Sequence, residues 1–170
     1  MRTELQIPSD LQFLAVVENW LLGALGVEFG DMDDWQQQSG RLRLALVEAY
    51  SNVVRHAHRD KPQVPVVMRL EWSDQKIRLE VWDRGNGYDL DTYTAPSPED
   101  FQDGGYGWLI LNRLMDKVEY RLQIGGQNCL VLETTLTASD ANGSSATPLP
   151  TSPSIEISGP STEPSTKKMM

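Results

Sequence analysis

The sequence predicts an α/β sandwich: a mixed β-sheet with helices packed on one face. Three observations lead there. Residues 66–72 and 76–82 alternate apolar and polar side chains with period two and are joined by a short SDQK turn. Residues 118–124 and 129–136 form a second pair of this kind, turning through GGQN. Residues 9–57 and 107–116 carry apolar residues at helical spacing. The resulting order is strand, helix, helix, strand pair, loop, helix, strand pair, which suits one sheet with its helices on one side.

The elements follow in order. Residues 3–7 read as a short strand stopped by Pro8. Ser9, with Gln12 three residues on, has the pattern of a capping box. The helix it opens carries Leu11, Leu14, Val17, Leu21 and Leu22 and is expected to end near Gly26. The acidic stretch 31–34 caps a second helix, which runs through Leu42, Leu46, Ala49 and Val53 to about Ala57. Charged and proline residues at 59–65 break it. Trp72 and Trp82 fall at strand positions and read as packing residues. Residues 88–105 hold Pro96, Pro98, several acids and a glycine pair, and so form a long loop of the functional or disordered kind. The last helix places Trp108, Leu111 and Met115 on one side.

From Ala138 onward the composition changes: about half the residues are Ser, Thr or Pro, and aromatics are absent. Such a segment cannot bury enough apolar surface to offset an ordering entropy of roughly 1–2 kcal/mol per residue. The sequence therefore divides into a folded domain, 1–137, and a disordered tail, 138–170. A net charge of −9 argues against a nucleic-acid partner, which requires clustered Lys and Arg. One cysteine, Cys129, cannot form an internal disulfide, and no apolar run is read as a signal or membrane span. A cytoplasmic location without membrane contact is the expectation.

The chemistry concentrates in three places. Glu48, Asn52 and His56 lie four residues apart, a spacing that stacks side chains on one helical face at steps of about 6 Å. A carboxylate fixed there can take a proton from a hydroxyl. The amide oxygen of Asn52 is a hard ligand suited to Mg²⁺, and His56 is either a structural histidine or a phosphate contact. Next, DRGNG ends a strand with Asp83 and supplies Gly85 and Gly87, where another molecule can approach the backbone closely. Asp83 can accept a hydrogen bond from an exocyclic amine such as that of adenine. Last, Gly104, Gly105 and Gly107 open a helix whose free N–H groups suit phosphate oxygens, with a loop between the two glycine clusters to cover a ligand.

This series resembles the gyrase/histidine-kinase/MutL (GHKL) ATPase superfamily: ExxxNxxxHA on a helix, DxGxG after a strand, then GxG opening a helix. Within it, EAYSNVVRHAH is similar to the anti-sigma factor serine/threonine kinases of the sporulation and stress type. The resemblance spans roughly residues 3–137 and implies a Bergerat-type sheet, ATP and Mg²⁺. It implies Glu48 as general base and Asn52 as the Mg²⁺ ligand. Asp83, Gly85 and Gly87 would then form the adenine pocket, with Gly104, Gly105 and Gly107 holding phosphates. It further implies phosphorylation of a small anti-sigma-factor antagonist of the STAS type, control of a sigma factor or other effector by partner switching, and a homodimer by family analogy. Two positions depart from the pattern. Trp108 stands where a smaller aliphatic residue is commoner, and the final hairpin reads GGQN where a threonine usually follows the glycine turn. The same motifs also serve the catalytic module of histidine kinases and nucleotide-binding switches with little turnover. Glu48 disfavours the histidine kinase, because a histidine needs less help losing a proton than a serine hydroxyl does.

Overall fold

The computed structural model of the chain describes residues 1–87 and 106–136. The loop expected at 88–105, with Gly104 and Gly105, lies outside the described residues, as do Thr137 and the tail expected at 138–170. The elements are β1 (Arg2–Pro8), α1 (Leu14–Phe29), α2 (Trp35–Asn52), β2 (Pro65–Ser73), β3 (Lys76–Asp83), α3 (Gly107–Leu114), β4 (Lys117–Ile124) and β5 (Gln127–Thr135). A 3₁₀ turn, Leu11–Phe13, precedes α1, and a π-helical turn, Val53–Ala57, follows α2.

The five strands form one sheet in the order β1-β2-β3-β5-β4, and every pairing is antiparallel. The sandwich is as expected, but the sheet is not mixed. β3 and β4 run in the same direction on either side of α3, and β5 inserts between them, so no two parallel strands are neighbours. The β4–β5 hairpin matches its turn chemistry, whereas in the β2–β3 hairpin the non-glycine Asp74 takes φ 51°. Gly125 and Gly126 adopt φ of 60° and 78°, the conformation a two-residue hairpin turn of the twisted type requires.

One sheet face carries the core. Met68, Leu70, Leu79, Val81 and Leu132, among others, meet the inner stripes of the helices. On α1 that stripe is Val17, Leu21, Leu25 and Phe29, one turn apart. It explains why α1 does not stop near Gly26. Each interior glycine costs about 1 kcal/mol relative to alanine, and burying Leu25 and Phe29 offsets that. The segment Leu11–Phe29, with mean hydropathy 1.2, is also long and apolar enough to cross a membrane by length and composition, contrary to the reading of the sequence. Its buried stripe is part of this core. The helical entry differs in a second way. Asp10, not Ser9, caps the turn, its carboxylate accepting the Gln12 N–H at 2.9 Å, while the Ser9 N–H donates to the Pro62 carbonyl.

The opposite face is covered by its own charges. Arg2, Glu71, Arg78, Glu133 and Lys117 align across all five strands, alternating in sign. Arg2–Glu71 closes at 3.4 Å and Lys117–Glu133 at 3.7 Å, and Arg78 also pairs with Glu133. Pairs of this exposure contribute little stability each; on the same face Val131 lies between Glu80 and Glu119, and Cys129 between Trp82 and Arg121. Arg69 stacks on Trp82, 5.0 Å from the ring centroid.

Tyr50 of α2 ties the helices to the end of β1. Its hydroxyl lies 2.7 Å from the Pro8 carbonyl and 2.9 Å from that of Asp10, and it accepts the Asp10 N–H at 3.3 Å. Burial raises its pKa above the ordinary tyrosine value. Tyr50→Phe leaves these groups short of a buried partner and should cost about 1–3 kcal/mol. A urea midpoint equal to that of the wild type would show that the hydroxyl contributes nothing.

Candidate functional site

Glu48 and Asn52 occupy the last turns of α2, one regular turn apart, both half-buried. They converge on the start of α3. A Cβ added to Gly107 would lie 2.2 Å from Glu48 Oε1 and 3.0 Å from Asn52 Nδ2. The carboxylate and the amide thus lie against one backbone position, with the positive end of the α3 dipole beside them. Only glycine fits between.

His56 does not join them. After Asn52 the backbone widens into the π-helical turn, closed by the His58 N–H donating to the Val53 carbonyl at 2.8 Å. The i, i+4 stacking therefore ends at Asn52, and His56 points into solvent. The structural histidine is His58 instead, 2% exposed, whose Nε2 accepts the Arg84 N–H at 2.9 Å. That bond requires a neutral ring with its proton on Nδ1. Burial is the largest cause pushing the His58 pKa below the ordinary value; Lys61 and Arg84 push the same way, and Asp83 opposes them.

Gly85 packs onto the end of the same π turn. A Cβ there would come within 2.8 Å of Ala57 Cα, Cβ and O. Gly87 adopts φ +81°, and a side chain on it would meet Leu122 Cδ2 at 2.5 Å. Both glycines are therefore set by close packing.

Asp83, 3% exposed, ends β3 on the helix-facing side. Its Oδ1 accepts the Gly85 N–H at 2.7 Å and Asn128 Nδ2 at 2.9 Å, and its Oδ2 accepts the Tyr120 hydroxyl at 3.2 Å. Sequence reasoning missed both side-chain donors. Asn128 lies directly opposite Asp83 in the β3–β5 register. The available signal was a polar residue at an inward position of a strand otherwise apolar from Cys129 to Leu132. Trp108, the other departure, turns inward and packs against the core. Cys129 is buried on the charged sheet face, and burial, with Glu80 nearby, pushes its thiol up to about 12, too high for a nucleophile.

The site thus brings a carboxylate and an amide together at a helix start, and sets a buried, hydrogen-bonded carboxylate on the segment that carries Gly85 and Gly87. Among the described residues no three His, Cys, Asp or Glu side chains gather to hold a metal. Mg²⁺ at Asn52 would be completed by phosphate oxygens and water, its usual mode of binding.

An α/β sandwich with these boxes is a nucleotide-binding domain of the GHKL type. The chain belongs to the histidine kinase-like ATPase domain family, whose pattern it matches over residues 8–134. Among its relatives is the serine-protein kinase RsbW of Halalkalibacterium halodurans, 27% identical over 133 residues, covering 72% of this chain and 76% of the relative. The serine-protein kinase RsbW of Bacillus velezensis is likewise 27% identical over 133 residues, covering 72% and 79%. The resemblance read from the motifs is therefore borne out. Two solved structures share the fold. One holds the RsbU and RsbW domains of Rv1364c from Mycobacterium tuberculosis, at TM-score 0.54 and 15% identity; the match covers 79% of this chain and 32% of that one. The other is the SiaB-SiaC complex from Pseudomonas aeruginosa, at TM-score 0.52 and 13% identity, covering 79% and 89%.

His58 gives the fold a pH dependence. A histidine whose folded pKa is lowered contributes stability that is fully present above about pH 6.5 and is lost as the pH falls from there through the folded pKa. His58→Gln keeps an acceptor but does not titrate in this range. The melting temperature of the wild type should therefore drop more steeply than that of His58→Gln between pH 6.5 and 5. Parallel slopes would contradict the buried neutral ring.

Proposed function

We propose that the domain is an ATP-dependent serine/threonine kinase that phosphorylates a small anti-sigma-factor antagonist and, through that switch, releases or sequesters a sigma factor or comparable effector. The observation that carries this reading is the convergence of Glu48 and Asn52 on the backbone of Gly107. Asp83 receives the adenine amine. From there the triphosphate extends toward α3, where the N–H groups around Gly107, together with Gly104 and Gly105, hold the phosphates.

Asn52 would hold Mg²⁺, which would supply charge neutralisation at the phosphates. Glu48 accepts the proton of the attacking hydroxyl, which enters beside Gly107. Positioning and electrostatics do most of the work in phosphoryl transfer, and a carboxylate held by packing at Gly107 is pre-positioned for the proton. The relatives' names as serine-protein kinases support a hydroxyl acceptor, and Glu48 fits it, because a serine hydroxyl needs a base. The antagonist, the sigma factor and a cytoplasmic setting are the partners and place that the resemblance to the anti-sigma factor kinases implies.

Glu48→Gln keeps the shape and hydrogen bonding of the side chain and removes its basicity. Phosphotransfer from ATP to the antagonist should fall by about 10²–10⁴-fold, with ATP affinity within about threefold of the wild type. The readout is acid-stable phosphoserine or phosphothreonine on the antagonist. Transfer at the wild-type rate would remove Glu48 from the mechanism, and acid-labile phosphate would point to a histidine acceptor.

A further inference from the structure

We propose that Asn128 and Tyr120 are positioning residues that set which base the site accepts, by holding Asp83 so that only its Oδ2 is left to receive a donor from the ligand. The inference rests on the nucleotide reading above and deepens it.

The hydrogen-bond inventory carries it. An ionised carboxylate has about four acceptor sites, two on each oxygen. Both sites on Asp83 Oδ1 are taken by the chain, by the Gly85 N–H at 2.7 Å and by Asn128 Nδ2 at 2.9 Å. On Oδ2 the Tyr120 hydroxyl takes one at 3.2 Å. A single lone pair remains, on a known oxygen.

Asn128 is itself committed. It is 0% exposed, and its Nδ2 group donates to Asp83 Oδ1 and to the Gly85 carbonyl at 3.1 Å, which uses both of its hydrogens. Its Oδ1 accepts the Gln123 N–H at 3.2 Å, from the irregular stretch of β4 where Gln123 has φ 54°. No N–H of Asn128 is left for a ligand, so it acts through Asp83. The same amide joins the Asp83–Gly87 segment to the β4–β5 hairpin, so a shift in either reaches the carboxylate.

A fixed lone pair facing the base selects an amine over a carbonyl. A polar site built for one partner discriminates strongly because the wrong partner leaves buried groups unpaired. ATP and ITP make a clean probe pair, since ITP carries an oxo group where ATP has the amine. Release of Oδ1 by Asn128→Ala lets the carboxylate turn and accept the N1 proton of ITP.

The test measures binding of Mg–ATP and Mg–ITP by calorimetry to the full chain, its Asn128→Ala variant and its Tyr120→Phe variant, with melting temperatures alongside. Asn128→Ala should weaken ATP by about tenfold, as loss of a hydrogen bond to a charged group does, and weaken ITP by less, so that the preference for ATP narrows. Tyr120→Phe removes one oxygen atom and should narrow the preference in the same direction. It decides the matter alone if Asn128→Ala does not fold. Equal losses for both nucleotides, which a merely structural role would give, overturn the proposal, as does an unchanged preference. A wild-type protein that binds neither nucleotide overturns the nucleotide reading itself, and one that binds both without preference overturns the role of Asp83 as base reader.

Discussion

A buried carboxylate at the end of β3 is the constraint on which the arrangement depends. An ionised carboxylate out of water is costly unless donors surround it, and Asp83 meets that requirement with a backbone N–H, an amide and a hydroxyl drawn from three separate segments. Gly85 supplies the first from the loop after β3, Asn128 the second from β5, and Tyr120 the third from β4. These bonds fix the loop, and the loop in turn fixes the end of α2, because Gly85 can lie against Ala57 only without a side chain. Charge satisfaction at one residue thereby sets the distance between the two halves of the site.

The other half depends on helix geometry. A regular helical turn puts Glu48 and Asn52 on one face, and the π-helical turn that follows re-aims the chain so that His58, not His56, reaches the Asp83–Gly87 segment. π-turns are uncommon in proteins and gather at functional sites. Here the turn lets one continuous stretch of chain place Glu48 and Asn52 against Gly107 and His58 against the backbone of Arg84. α3 closes the arrangement from the other side, its first residue lying directly on the Glu48 carboxylate.

Much of this was legible in the sequence because the signals are local. Period-two alternation marked four of the strands, and the ExxxN spacing fixed the Glu48–Asn52 pair before any fold was known. The features that were not legible depend on contacts between distant segments. The register that sets Asn128 against Asp83 follows from β5 entering between β3 and β4, which no window of sequence contains. The π turn is equally hidden, since a helical pattern continues through Val53–Ala57 and only the packing of Ala57 on Gly85 shows where the backbone widens. The sheet differs from the mixed one expected for a related reason: β5 enters between β3 and β4, so the two strands of the same sense are not neighbours. The exit of α1 beyond Gly26 was misread because glycine was weighed by its local propensity, whereas the buried stripe through Phe29 decided the outcome.

The most direct measurement is a crystal structure of the full chain with Mg²⁺ and a non-hydrolysable ATP analogue. The account predicts the adenine amine within hydrogen-bond distance of Asp83 Oδ2, Asn128 still bonded to Oδ1, and the metal on Asn52 with the terminal phosphate beside Gly107. A purine seated away from Asp83, or a Glu48 carboxylate turned from the phosphate, would contradict it.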